Sequence, residues 1–75
     1  MKTKLIANGA NKDGSRIFCK LTLNGKNVVK GYYDFNKEKF MVIKYMEANF
    51  PKTMTKNKIR KTLKEELYII YDWNL

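Results

Sequence analysis

Six basic residues, Lys52, Lys56, Lys58, Arg60, Lys61 and Lys64, occupy a stretch with no acid between Glu47 and Glu65. The sign then reverses: the last eleven residues hold Glu65, Glu66 and Asp72 and no base. A block of this kind suits phosphate neutralisation, because each lysine or arginine seated on a phosphate releases condensed counterions. The same run also reads as a merely solvated helix face, or as a surface that meets an acidic protein. A second group, Arg16, Phe18, Lys20 and Tyr33, interleaves rings and cations around a predicted hairpin. On such a platform bases stack on rings while cations track the backbone, at about 1–3 kcal/mol per stacked base. The competing reading puts Phe18 and Tyr33 under the C-terminal segment, as a second half of the core.

Other chemistries lack their residues. The chain has no histidine, so the usual general base is missing. Cys19 is the single cysteine, so neither a disulfide nor a structural zinc site is expected within one chain. Cys19 itself reads as an inert core thiol, since no activating base can be named for it. Seven carboxylates form no evident spaced pair. The glycines of the Asn8–Ser15 segment lack the spacing of a phosphate-binding loop. The expectation is a non-catalytic protein with no metal and no cofactor.

Charge supplies the main clue to partners. A net charge of +9 on 75 residues, with pI near 9.8, favours nucleic acid, with DNA and RNA both open. An acidic protein surface or a nucleoprotein is the alternative. Ten aromatics and 44% hydrophobic residues support a compact fold rather than disorder. Residues 1–75 then make one small basic domain, with a thin stability margin that a partner or a homodimer would widen. No apolar run approaches a membrane span, and the start, Met1 to Gly9, has no usable signal-peptide core. The expected location is the cytoplasm of a bacterial or host cell. Abundant lysine and asparagine in a short chain fit an accessory protein of a phage or mobile element.

These side chains need elements to hold them. Residues 3–7 suggest a short strand, and Asn8 to Ser15, with Asn8-Gly9 and Asp13-Gly14, a mobile loop. Asn24-Gly25 between two alternating runs predicts a hairpin over residues 16–33. A two-residue loop would pair Leu23 with Lys26, Leu21 with Val28, Cys19 with Lys30 and Ile17 with Tyr32. Ile17, Cys19, Leu21, Leu23, Val28 and Tyr32 would then face the core, with Lys26 and Lys30 as anomalies there. Asn36 as N-cap, the pair Phe35 and Phe40 as a staple, and apolar residues at Phe40, Ile43 and Phe50 predict a helix over residues 37–49, stopped by Pro51. Further on, Ile59, Leu63, Leu67 and Ile70 suit one amphipathic helix, and Thr62 to Glu65 match a capping box for a later start. The β-formers of Tyr68 to Trp73 favour instead a helix over about 55–66 and a strand over 67–73.

The order strand, Asn-Gly-Lys hairpin, strand, Tyr-Asp-Phe, helix resembles in outline the amino-terminal arm-binding domain of tyrosine recombinases of mobile elements. The likeness spans about residues 15–49 and leaves the basic segment outside it. It implies a sheet that reads a DNA major groove. The reading as a whole is an α+β domain. Its antiparallel sheet is built on the hairpin, and its phosphate contacts lie along Lys52 to Lys64. The alternative is a small inhibitor or adaptor that docks on a host enzyme or nucleoprotein.

Overall fold

Asn24 and Gly25 both take positive φ, 51° and 83°, as a two-residue hairpin turn requires. In the computed structural model, which describes residues 2–75, they join β2 (Arg16–Leu23) to β3 (Lys26–Asp34). Leu23 pairs with Lys26 as expected, and Thr22 with Asn27. The register then slips: Leu21 faces Val29, so Val28 is an extra residue. Cys19 consequently faces Gly31 rather than Lys30, and Ile17 faces Tyr33 rather than Tyr32. The cause is the adjacency of Val28 and Val29, both fully buried. A regular strand sends neighbours to opposite faces, and the bulge absorbs the conflict. It also moves Lys30 off the core face, which removes one of the two anomalies noted above, while Lys26 keeps its place opposite Leu23.

β1 (Thr3–Ala10) lies antiparallel against β2, with a second irregularity between Ala7 and Gly9. It runs three residues beyond the expected strand, so the loop shrinks to residues 11–15. Asn11 closes that loop: its Oδ1 accepts from the Arg16 N–H at 3.0 Å.

The expected helix over residues 37–49 is not there. That segment forms β4 (Lys39–Tyr45) and one 3₁₀ turn (Glu47–Asn49). The carboxylate of Asp34 accepts from the N–H groups of Asn36 and Lys37 at 2.9 and 3.2 Å. Glu38 adopts a left-handed φ of 52°. Together these close a tight turn where a helix N-cap was expected. Phe40, Val42 and Tyr45 then pack toward the core. Ile43 is skipped by the ladder, since Gly31 pairs with Val42 and Lys30 with Lys44. This bulge stretches an alternating pattern until its apolar residues recur at helix-like spacing.

The expected second helix exists but is longer. Thr55 Oγ1 accepts from the Lys58 N–H at 3.3 Å and opens α1 (Lys56–Tyr71). Ile59, Leu63 and Leu67 recur every four residues and are all fully buried. Burial of Leu67 keeps the following β-prone residues helical, so no strand forms over residues 67–73. Tertiary packing outweighs their local preference. Asp72, at φ 55°, ends the helix. Trp73 folds back between Tyr33 and Tyr71, with ring centroids 4.2 and 4.1 Å away. The Asn74 carbonyl accepts from the Phe40 N–H at 2.7 Å and so covers the edge of β4.

The outcome is an α+β meander of strand order β1-β2-β3-β4 with α1 across one face. The core holds Leu5, Leu21, Val29, Tyr33 and Phe40 from the sheet beneath Ile59, Leu63 and Leu67. Thr3 Oγ1 donates to Glu66 Oε1 at 2.7 Å and ties β1 to the helix. Gly31 lies under the Phe40 ring, where an added Cβ would sit 2.6 Å from Phe40 Cε1 and would also meet the Met41 carbonyl.

Candidate nucleic-acid interface

Alternation in a pleated sheet gives every residue beside a core position to the opposite face. On this sheet that face carries side chains in cross-strand rows. One row runs Ile6, Lys20, Lys30, Lys44. The next runs Gly9, Phe18, Tyr32, Met41. Beyond it Arg16 pairs with Asp34, and Asp34 with Lys39. Neighbouring strands lie about 4.8 Å apart, so Lys20 to Lys44 spans about 10 Å.

Lys30 and Lys44 are exposed, and Lys20, Phe18, Tyr32 and Met41 are half-buried. Phe18 and Tyr32 meet edge-on at 5.9 Å. The Arg16 guanidinium lies over the Tyr32 ring at 4.8 Å from its centroid. Arg16 Nε also pairs with buried Asp34 Oδ2 at 3.5 Å, the one ion pair among the described residues. Arg16 therefore holds Tyr32 and Asp34 in place. A shallow depression of about 220 Å³ opens beside the lysines, lined by Asn8, Phe18, Lys20, Asn27, Lys30 and Met46.

The lysine row is unfavourable by itself. Like charges placed directly opposite on neighbouring strands destabilise a sheet by a few tenths of a kcal/mol, up to about 1. Lys20 opposes Lys30, and Lys30 opposes Lys44. An anion laid along the row would reverse that sign.

The residues singled out in the sequence divide between two surfaces. Lys56, Lys58, Arg60, Lys61 and Lys64 are exposed on α1, and Lys52 precedes it, also exposed. At 100° per residue, Lys58, Arg60, Lys61 and Lys64 fan over about 160° of the helix. Lys56 Nζ sits 4.8 Å from the centre of the Tyr45 ring. Arg16, Phe18 and Lys20 belong to the open sheet face, on the side away from α1. Tyr33 joins neither surface: it is 7% exposed and stacked on Trp73. Tyr32 takes the place expected of it.

Lys30, Tyr32, Lys44 and Met41 were not foreseen here. The adjacent pair Val28-Val29 was the available signal for the first two, because it marks the bulge. Lys44 and Met41 required reading residues 39–45 as a strand.

Cys19 is buried, and burial pushes its thiol up to about 11. Among the described residues no three His, Cys, Asp or Glu side chains gather as metal ligands. No described helix is long and apolar enough to cross a membrane. Set against family models, curated proteins and solved structures, the chain matches none. The recombinase-like outline rested on a helix after the hairpin, and β4 stands there instead.

Proposed function

We propose that this protein is a non-catalytic nucleic-acid-binding or regulatory module whose primary contact surface is the open face of its sheet. The supporting observation is the pair of adjacent rows, Lys20–Lys30–Lys44 and Phe18–Tyr32–Met41, facing away from α1. Cations in one line with rings beside them match a strand of nucleic acid, whose phosphates and bases are offset in the same way. Lys52, Lys58, Arg60, Lys61 and Lys64 form a second, diffuse basic surface that raises the local anion concentration and adds non-specific attraction.

The test is amide mapping by NMR during titration with a short oligonucleotide at low salt. Resonances of Phe18, Lys20, Lys30, Tyr32 and Lys44 are expected to move first, and salt should reverse the change. Shifts confined to α1, or none, would refute this surface as the contact.

One observation favours a protein partner instead. Tyr68, Ile69 and Ile70 are 67%, 74% and 48% exposed at the end of α1, beside Glu65 and Asp72. An apolar cluster with acidic neighbours suits an inhibitor or adaptor that docks on a host enzyme or nucleoprotein. Capture of one host protein that survives nuclease treatment, with loss on Ile69→Asp, would support that reading.

A further inference from the structure

The chemistry of the open face distinguishes forms of nucleic acid. A duplex stacks its bases internally and offers an incoming surface only phosphates and base edges. A single strand also offers base faces. The centre of this face is apolar: Phe18, Tyr32 and Met41 stand half-buried in one row, each with part of its surface open to solvent. Against a duplex wall these groups would lose water without gaining a partner. Against a splayed base each gains a stacking or dispersion contact.

Width points the same way. The major groove is about 12 Å across and admits a two-stranded ribbon. Four strands place the outer strand axes about 14 Å apart before side chains are added. β1 therefore obstructs entry of this sheet into a groove, while it widens a platform on which a strand can lie.

The spacing of the rows supplies direction. Lys20 and Phe18, like Lys30 and Tyr32, are two residues apart on their strands, or about 6.8 Å. A backbone running across the β-strands along Lys20, Lys30 and Lys44 has its bases directed over Phe18, Tyr32 and Met41.

Resting on the nucleic-acid reading above, we propose that the open face is a single-strand site. The phosphates of two or three nucleotides would follow the lysine row, and at least one base would stack on Phe18. Tyr32 is already engaged on one side by Arg16, which makes Phe18 the freer ring.

The experiment is fluorescence anisotropy at low salt with three labelled probes: a short oligothymidine, a duplex of the same length, and inorganic polyphosphate. Wild type is compared with Phe18→Leu and Phe18→Tyr. Trp73, packed on the opposite side of the sheet between Tyr33 and Tyr71, reports through its emission that each variant is folded. The expected result is preference for the single strand over both other probes. Phe18→Leu should weaken oligothymidine binding by about tenfold, the loss of one stacked base, and leave polyphosphate unaffected. Phe18→Tyr should keep wild-type affinity. Tighter duplex binding, or equal affinity of Phe18→Leu for oligothymidine, would overturn the single-strand assignment while leaving nucleic-acid binding intact. Failure of all three probes to bind would overturn the proposed function itself, and this site with it. If Phe18→Leu does not fold, Phe18→Tyr still decides. Loss of affinity in that variant, which keeps the ring, would contradict stacking as the basis of binding.

Discussion

The two faces of the sheet are made from the same strands, in alternate residues, and they do opposite things. On the covered face Leu5, Leu21, Val29, Tyr33 and Phe40 meet Ile59, Leu63 and Leu67. Every large side chain there has an apolar partner. On the open face Lys20 meets Lys30, Lys30 meets Lys44, and half-buried rings stand beside them. The covered face is consistent with folding alone. The open face conflicts with it, and such local conflict is expected where a surface serves a ligand. Stability and binding should therefore respond to different substitutions.

The largest effect is expected at Gly31, where the covered face has no room. An added Cβ would meet the Phe40 ring at 2.6 Å and the Met41 carbonyl. Gly31→Val should cost about 3 kcal/mol or more, in the upper range of overpacking. Urea unfolding measures this, and Phe40→Leu in the same chain should recover part of the loss. Independence of the two changes would show that the ring is not the obstacle.

Next comes Leu63→Ala, beneath the centre of α1. Full burial implies a loss of about 2–5 kcal/mol. Binding by the folded fraction should be unchanged, because Leu63 lies on the side away from the lysine row. A fall in affinity below the unfolding transition would show that the two faces are coupled.

On the open face, Lys30→Gln should do the reverse. Stability should hold or rise by a few tenths of a kcal/mol as two like-charge pairs disappear. The salt slope for a single strand should flatten by about 0.7. Destabilisation of 1 kcal/mol or more, read from the same urea curves, would mean that Lys30 serves the fold.

The last effect, a pH dependence, concerns Cys19 and is absent at neutral pH. Its thiol ionises near 9 when exposed and near about 11 in the fold. The folded value is the raised one, so this contribution is fully present below pH 9 and is lost as pH rises from 9 toward 11. Cys19→Ala should remove that part of the alkaline slope. Iodoacetamide at pH 8 should label the native chain far more slowly than the denatured one. Equal rates would place the thiol at the surface.

How much of this could be read from the residues varies from place to place. Asn24-Gly25 specified its turn because only a few residue pairs tolerate two positive φ values. Ile59 and Leu63 announced α1 through four-residue spacing. Two of the failures share one cause, the bulge. An extra residue at Val28 exchanged Tyr32 with Tyr33, and Ile43 gave β4 the spacing of a helix. Periodicity arguments assume that nothing is inserted, and alternation cannot show which residue the ladder will skip. The strand expected at residues 67–73 failed for a different reason: local β preference there competes with the four-residue spacing that carries Ile59 and Leu63 on to Leu67, and burial of Leu67 decides it for the helix. Of the candidate site, Phe18, Lys20 and the helix bases were legible. The lysine row was not, because its members come from three strands whose pairing depends on both bulges.

The most direct test neutralises the two basic surfaces separately. One variant carries Lys20→Gln, Lys30→Gln and Lys44→Gln; the other carries Lys58→Gln, Lys61→Gln and Lys64→Gln. Anisotropy of a labelled single strand, measured across several salt concentrations, gives each an affinity and a slope. The sheet variant should lose most of its low-salt affinity and flatten the slope by about two units, near 0.7 for each lost phosphate contact. The helix variant should keep most of both. If the helix variant loses more than the sheet variant, the contact surface lies on α1 and the account of the open face is wrong.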